Sequence, residues 1–301
     1  IEDNLQNVVV DLYNPDSSLA FTGQYKRADK SNEATGDTTA FYVFDTMTLN
    51  PNWQISAGIR YDIFETEYFY DLDGDDPTLV LKAKENEVSW NVGVVYKPAE
   101  NGSIYFGAGN SFSPSAEDLT ASSRGNNAEL DPEETLSYEL GTKWELLDHR
   151  ILASAAIFRT EKNNARSDDP FAENSRDELL KGEQRVDGIE LSVVGQINDL
   201  LSITSAYTYQ DSEVVRATGD DVVQNGVELR KTPKHSFSVW GKYDISETLT
   251  IGLGSQYMGE RYNSSDPGGR EQANDYLIFD MMISYQFSDQ LSVQMNGTNL
   301  T

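Results

Sequence analysis

The chain has 301 residues, with Asp+Glu 50 against Lys+Arg 23 and a formal net charge of -27. That balance excludes nucleic acid as a partner, because gripping phosphates needs a basic face. Cysteine is absent, which excludes disulfides and thiol chemistry, and no apolar run approaches the roughly 18 residues of a membrane-spanning helix.

A β-barrel is not excluded, since only every second residue of its strands meets lipid and the mean hydropathy of the chain stays low. Sixteen Tyr, twelve Phe and four Trp argue against disorder. Ile1-Glu2-Asp3-Asn4 carry neither the basic nor the apolar region of a signal peptide. At the other end Asn299-Leu300-Thr301 follow directly on a strand-like pattern, so both ends are expected to be cuts within a longer protein. Residues 1–35 read mostly as an extracellular loop, with Val8-Val9-Val10 and Leu19 to Lys26 as strand ends around Asn14-Pro15-Asp16.

From there period-two alternation dominates, the mark of a strand with one apolar face. Ile55, Ala57, Ile59, Tyr61 and Ile63 alternate with polar or small residues, as do Val88, Trp90, Val92, Val94 and Tyr96. Leu136 to Leu146, Leu201 to Tyr209, Phe237 to Tyr243, Leu249 to Tyr257 and Phe279 to Phe287 repeat the pattern. The opposite face carries Arg60, Glu139, Lys143, Glu190, Lys242 and Asp280 among Ser, Gly, Thr and Gln. A β-sandwich also turns polar residues outward, so alternation alone does not separate it from a barrel.

Connection lengths do. Short links near Asn50-Pro51-Asn52, Pro98 to Gly102, Leu147-Asp148-His149, Asn198-Asp199, Ser246-Glu247 and Ser288-Asp289 alternate with long ones. The long ones are Asp71 to Thr78, Ser113 to Glu134, Glu161 to Gly182, Asp211 to Arg230 and Tyr262 to Asp275. Short turns at one end and long loops at the other are how outer-membrane barrels are built. The fold class is therefore all-β, a transmembrane antiparallel β-barrel, of which this chain supplies about twelve strands. Aromatics gather at strand ends: Trp53, Tyr96, Trp144, Tyr243, Tyr285 and Phe287 by the short turns, and Tyr68, Phe69, Tyr70, Tyr207, Tyr209, Tyr257 and Tyr262 by the long loops. Two interfacial girdles give that distribution; the aromatic core of a sandwich is the alternative.

The residues also resemble a known family. Phe112-Ser113-Pro114-Ser115, Leu130 to Thr135 and Tyr138-Glu139-Leu140-Gly141-Thr142-Lys143-Trp144 are similar to the "PE…YE-G-K" run of TonB-dependent siderophore receptors. Gly182-Glu183-Gln184-Arg185-Val186-Asp187-Gly188-Ile189-Glu190 resembles the "G…GxE" strand that follows it. Phe44-Asp45-Thr46, Gly58 to Asp62, Ala155 to Arg159, Ala206 to Tyr209, Thr232 to Ser236 and Asn296 to Leu300 fit in order, and the catecholate-siderophore receptors are the nearest subgroup. Each motif is short; the ordered series from residue 40 onward carries the resemblance. It implies a bacterial outer-membrane location and a barrel of about 22 strands. Residues 1–301 would then be a partial barrel domain, with the plug domain, the early strands and the last strand lying outside it.

The resemblance implies binding and gated uptake rather than catalysis. No cofactor is expected; the ferric siderophore is the cargo. The expected partners are that chelate, the TonB–ExbB–ExbD complex through the missing N-terminal region, and outer-membrane lipid and lipopolysaccharide. A ferric catecholate is anionic and aromatic, so loop arginines and aromatic rings are its natural contacts. The candidates are Arg124, Arg166, Arg176, Arg261, Arg270, Phe112, Phe171 and Tyr262; the alternative for each is a solvent-facing loop side chain. Asp71-Leu72-Asp73-Gly74-Asp75-Asp76 fails the EF-hand spacing, with Lys82 where the twelfth-position acid belongs. It reads as a solvated acidic loop or a divalent-ion bridge to lipopolysaccharide. His149 and His235 lack the partners of a hydrolytic triad. A passive porin, a receptor for another substrate, an outer-membrane protease or phospholipase, and a soluble β-sandwich are the competing readings.

Overall fold

The alternating segments become a meander of antiparallel strands. The computed structural model describes residues 32–70, 79–113, 131–168 and 178–301. In chain order the strands are β1 (Asn32–Asn50), β2 (Trp53–Tyr70), β3 (Leu79–Ala99), β4 (Gly102–Ser113), β5 (Glu133–Leu146), β6 (Ile151–Asp168) and β7 (Glu178–Gln196). They continue with β8 (Leu201–Arg216), β9 (His235–Asp244), β10 (Leu249–Met258), β11 (Arg261–Tyr262), β12 (Gln272–Ala273), β13 (Tyr276–Ser288) and β14 (Leu291–Gly297). Twelve of them form one sheet in sequence order, while β11 and β12 pair as a separate ribbon within the β10–β13 connection. One short 3-10 helix, Gly219–Gln224, lies in the β8–β9 connection.

Register assigns the two faces, because residues paired across strands point to the same side. Met47, Ile55, Val94, Phe106, Leu140, Ile157, Ile189 and Tyr209 form one continuous row across eight strands. One residue along, Thr46, Ser56, Gly93, Gly107, Glu139, Phe158, Gly188 and Gln210 form the matching row on the opposite face. The apolar row is not covered by protein: Leu140 is 47% and Ile157 54% exposed. Among the described residues the buried apolar side chains are only Ile151, Ala165, Val214 and Ala217. A sandwich would bury the apolar row in a core; here that face stands bare, as a surface meeting hydrocarbon must.

Several strands run well past the 9–11 residues that a tilted strand needs to cross a bilayer: β3 has 21 residues and β7 has 19. The sequence places long loops over Glu161 to Gly182 and from Asp211; instead β6, β7 and β8 continue as strands to Asp168, from Glu178 and to Arg216. Apolar alternation stops there, and charge pairing takes over. Arg159 Nε donates to Asp187 Oδ1 at 2.6 Å, Arg185 Nη2 to Glu213 Oε2 at 2.8 Å and Lys162 Nζ to Glu133 Oε2 at 2.8 Å. Hydrophobic patterning does not reveal this ionic extension. Beyond it Ala165, Val214 and Ala217 pack with the β8–β9 connection, where Val214 N donates to Val227 O at 2.9 Å and Ala217 N to Asn225 Oδ1 at 2.6 Å.

The short turns lie at the other end of the sheet. The β5–β6 turn places Leu147, Asp148 and His149 in succession at positive φ (51, 54 and 66°), a backbone region costly for side-chain-bearing residues. Two contacts brace it: Arg150 Nε donates to Leu147 O at 3.2 Å, and His149 pairs with Glu145. The hydrogen bond that the His149 ring gives to Glu145, followed by the charge of that carboxylate, raises the His149 pKa above the ordinary 6.5. A raised pKa in the folded state means that the pair stabilises the turn below the unfolded value and ceases to do so as pH rises through the folded one. We expect the His149 ring in the full-length protein to titrate above 6.5, and Glu145→Gln to move it back toward that value, as read by NMR of labelled histidine. A midpoint at or below 6.5 in the parent protein contradicts the pairing.

Candidate ligand-binding mouth

The polar face is built from small and charged side chains in register. A Cβ on Gly141 would overlap the Tyr105 ring, so the glycine lets that ring lie flat along the wall. Tyr105 Oη donates to Glu139 Oε1 at 2.5 Å, and Lys143 Nζ stands 5.2 Å from the Tyr105 ring centroid. Higher on the same face Arg60 grips Asp62 through Nε and Nη2 at 2.8 and 2.6 Å.

The wall is irregular where β3 meets β4. Their ladder ends at the pair Asn91–Gly109, although both strands continue. Asn110 takes over the vacated bonds: its Oδ1 accepts from Trp90 N at 2.7 Å, and its Nδ2 donates to Val88 O at 3.3 Å and Glu134 Oε1 at 3.1 Å. One side chain thereby holds three strands together across a splay. Beside it opens a cavity of about 360 Å³ lined by Arg60, Asp62, Phe64, Glu85, Glu87 and Phe112, among others.

At the long-connection end two loops fasten to each other. Lys231 N donates to Tyr262 O at 2.7 Å and Arg230 N to Ser265 Oγ at 3.1 Å. The β11–β12 ribbon thus rests on the β8–β9 connection and holds Arg261, Tyr262 and Arg270. Arg270 Cζ lies 3.8 Å from the Tyr262 ring centroid, and Arg261 Cζ lies 5.5 Å from that of Tyr276. Both arginines keep an enclosed Nη1 without a hydrogen-bond partner.

The eight candidates therefore separate. Arg261, Tyr262 and Arg270 come together. Phe112 lies six strands away along the sheet, at the end of β4. Arg166 falls on β6 rather than in a loop, its backbone N donating to Glu133 Oε1 at 2.9 Å. Arg124, Arg176 and Phe171 lie outside the described residues, as do the acidic stretch Asp71 to Asp76 and residues 1–31. Tyr276 and Asn110 are the residues that the sequence reading misses. Tyr276 follows a long loop directly and could have been noted as a strand-end ring; nothing in the sequence marks Asn110. Of the two histidines, His235 Nδ1 hydrogen-bonds Tyr207 Oη at 2.9 Å within an aromatic cluster that includes Tyr209.

A meander of twelve long strands with a bare apolar face, a polar opposite face and one looped end defines a wall of a large outer-membrane barrel. Residues 3–300 match the model of the family described as TonB dependent receptor-like, beta-barrel, and the chain belongs to that family of outer-membrane transport receptors. The probable TonB-dependent siderophore receptor PiuA of Acinetobacter baumannii is 32% identical over 89% of this chain and 37% of its own length. The catecholate siderophore receptor Fiu of Escherichia coli K12 is 31% identical over 97% of this chain and 41% of its own length. The crystal structure of PiuA superposes with a TM-score of 0.83, covering 89% of this chain and 39% of that one. The closed form of the ferric-catecholate import receptor Fiu from E. coli gives 0.84 at 29% identity, covering 97% and 44%. The chain thus spans about two fifths of the length of these relatives. The barrel match makes the polar face the lumenal one, and Arg261, Tyr262 and Arg270 stand at the mouth.

Asn110→Ala strands the Trp90 N–H and the Val88 carbonyl. We expect it to lower the stability of the full-length protein in lipid by about 1–3 kcal/mol, read from its urea midpoint. A change below about 0.5 kcal/mol, within the range of an ordinary surface substitution, contradicts the bridging role.

Proposed function

We propose that this segment belongs to an outer-membrane receptor that takes up ferric siderophores of the catecholate type, energised by the TonB–ExbB–ExbD complex. The observation that carries the reading is the match to the catecholate siderophore receptor Fiu over 97% of this chain. It covers nearly the whole chain rather than resting on one motif.

The physical chemistry of the mouth supports it. A ferric catecholate carries negative charge on planar oxygen pairs, which a guanidinium fork fits, and aromatic rings that arginine and tyrosine faces stack against. The net charge of -27 opposes long-range attraction of such an anion, so local arginines must supply the attraction. Arg261 and Arg270 with Tyr262 are the central contacts, Arg166 and Phe112 contribute from the wall, and Arg124, Arg176 and Phe171 from the long connections. The iron travels as cargo within its chelate, with no cofactor of the protein involved. Outside, the apolar row meets lipid acyl chains, and the charged extension with Arg159 and Arg185 meets the lipopolysaccharide headgroups.

Purified full-length protein in detergent tests the reading through tryptophan quenching on titration with ferric catecholates, against a ferric hydroxamate. We expect saturable submicromolar quenching by the catecholates alone, an affinity stronger than about -8 kcal/mol. Quenching by the hydroxamate alone rejects the catecholate class. No quenching by either chelate, with open conductance in a planar bilayer, replaces uptake by passive permeation.

A further inference from the structure

A second, smaller cavity opens on the lumenal face below the mouth. It measures about 200 Å³ and is lined by Thr208, Ser236, Ser238, Gln256, Met258 and Tyr276, among others. Register brings these residues together from four strands. Thr208 lies opposite Ser236, Ser236 opposite Met258, Met258 opposite Tyr276, and Ser238 opposite Gln256. Tyr276 Oη donates to Met258 Sδ at 3.7 Å, holding the ring against the wall. The hydroxyls of Thr208, Ser236 and Ser238 and the amide of Gln256 make no hydrogen bond to another described residue. They remain available to something that enters.

Arg261 stands over Tyr276, with its Cζ 5.5 Å from the ring centroid. Its Nη1 is enclosed and unbonded, and Arg261 forms no ion pair among the described residues. In a chain with 50 acidic residues that isolation requires arrangement. The neighbouring Glu260 is held by Gln272 instead, its Oε2 accepting from Gln272 Nε2 at 2.5 Å. An enclosed cationic donor without an acceptor is costly to maintain, and an incoming oxyanion removes the cost. Stacking on Tyr276 has already restricted the side chain, so less freedom is lost when a ligand binds.

We propose that this cavity with Arg261 is a subsite for one anionic dihydroxyaryl arm of the chelate. Arg261 meets the deprotonated oxygens, the ring enters beside Tyr276, and the serine, threonine and glutamine groups bond the remaining polar edge. Tyr276 is a positioning residue acting through Arg261. The inference rests on the receptor reading above and adds to it a place and a charge contact.

The test uses full-length protein in detergent and the ferric complex of 2,3-dihydroxybenzoate as probe, with Kd read from tryptophan quenching at low and high salt. Trp240, two residues from Ser238 on the same face, is a local reporter. Arg261→Gln is expected to raise Kd about tenfold, the loss of one charge-assisted hydrogen bond, and to flatten the salt dependence. Arg261→Lys recovers the salt dependence and part of the affinity. Ser238→Leu fills the cavity without changing charge and weakens binding comparably. Tyr276→Ala weakens binding, and Tyr276→Phe, which keeps the ring, restores it. Arg150→Gln, at the short-turn end, leaves Kd within about twofold, a difference of under 1 kcal/mol. Each variant is first shown to be folded by its heat-dependent gel mobility. If the parent protein binds and both Arg261→Gln and Ser238→Leu stay within about twofold of it, the subsite is wrong and the receptor reading stands. If the parent protein does not bind the probe, the catecholate reading fails and the subsite fails with it.

Discussion

No water is available inside a bilayer to hydrogen-bond a peptide group, so a chain that crosses it must satisfy its backbone internally. The features described here follow from that constraint. From β1 to β10 and on through β13 and β14, each strand bonds to the next in sequence order, and ladder after ladder consumes the N–H and C=O groups. Once the backbone is satisfied, side chains decide which face meets which solvent. Where a ladder fails, between β3 and β4 above Asn91–Gly109, the amide of Asn110 replaces it. The exception shows the rule at the scale of one side chain.

The same sheet separates two environments and leaves a third at its end. The row through Leu140, Ile157 and Ile189 faces hydrocarbon. The row through Glu139 and Gly188 faces the lumen, where charge is tolerated because water or other polar groups can reach it. Past the apolar band the strands continue on ion pairs. Singly such exposed pairs contribute little, but in register they give the projecting strands a reason to remain paired. The mouth differs: in place of acid–base pairing, Arg261 and Arg270 lie on tyrosine rings. Salt-bridged arginines stiffen a wall, whereas stacked ones keep donors free for an anion of the kind proposed.

Much of the fold was legible in the sequence. Period two from Ile55 to Ile63 and from Leu136 to Leu146 needs only the pleat of a strand, and each short turn between such runs marks a hairpin. The asymmetry of connection lengths then separated barrel from sandwich. The extent of the strands was less legible. Glu133, Lys162 and Glu213 are polar residues in stretches that read as loops, and the structure places them in strands through cross-strand ion pairs, Lys162 with Glu133 and Glu213 with Arg185. The mouth was legible in part. Arg261, Tyr262 and Arg270 were marked by residue type, but Arg166 carries the same marks and lies in β6. Residue type cannot distinguish an arginine within a strand from one laid on a ring beside a loop. The lumenal cavity with Tyr276 depends on register between four strands, which local sequence does not encode.

This sheet is a barrel wall with the Leu140 face toward lipid and the Glu139 face toward the lumen. The 301 residues contain no cysteine; with any cysteine elsewhere in the full-length protein replaced first, single cysteines can be introduced along β5, labelled with nitroxide and reconstituted in vesicles. Collisions with dissolved oxygen and with a water-soluble nickel chelate then report the surroundings of each site. We expect oxygen-accessible labels at Leu136, Tyr138, Leu140 and Thr142, alternating with labels at Ser137, Glu139 and Lys143 that oxygen reaches poorly. A helical period, or no alternation along β5, would contradict it.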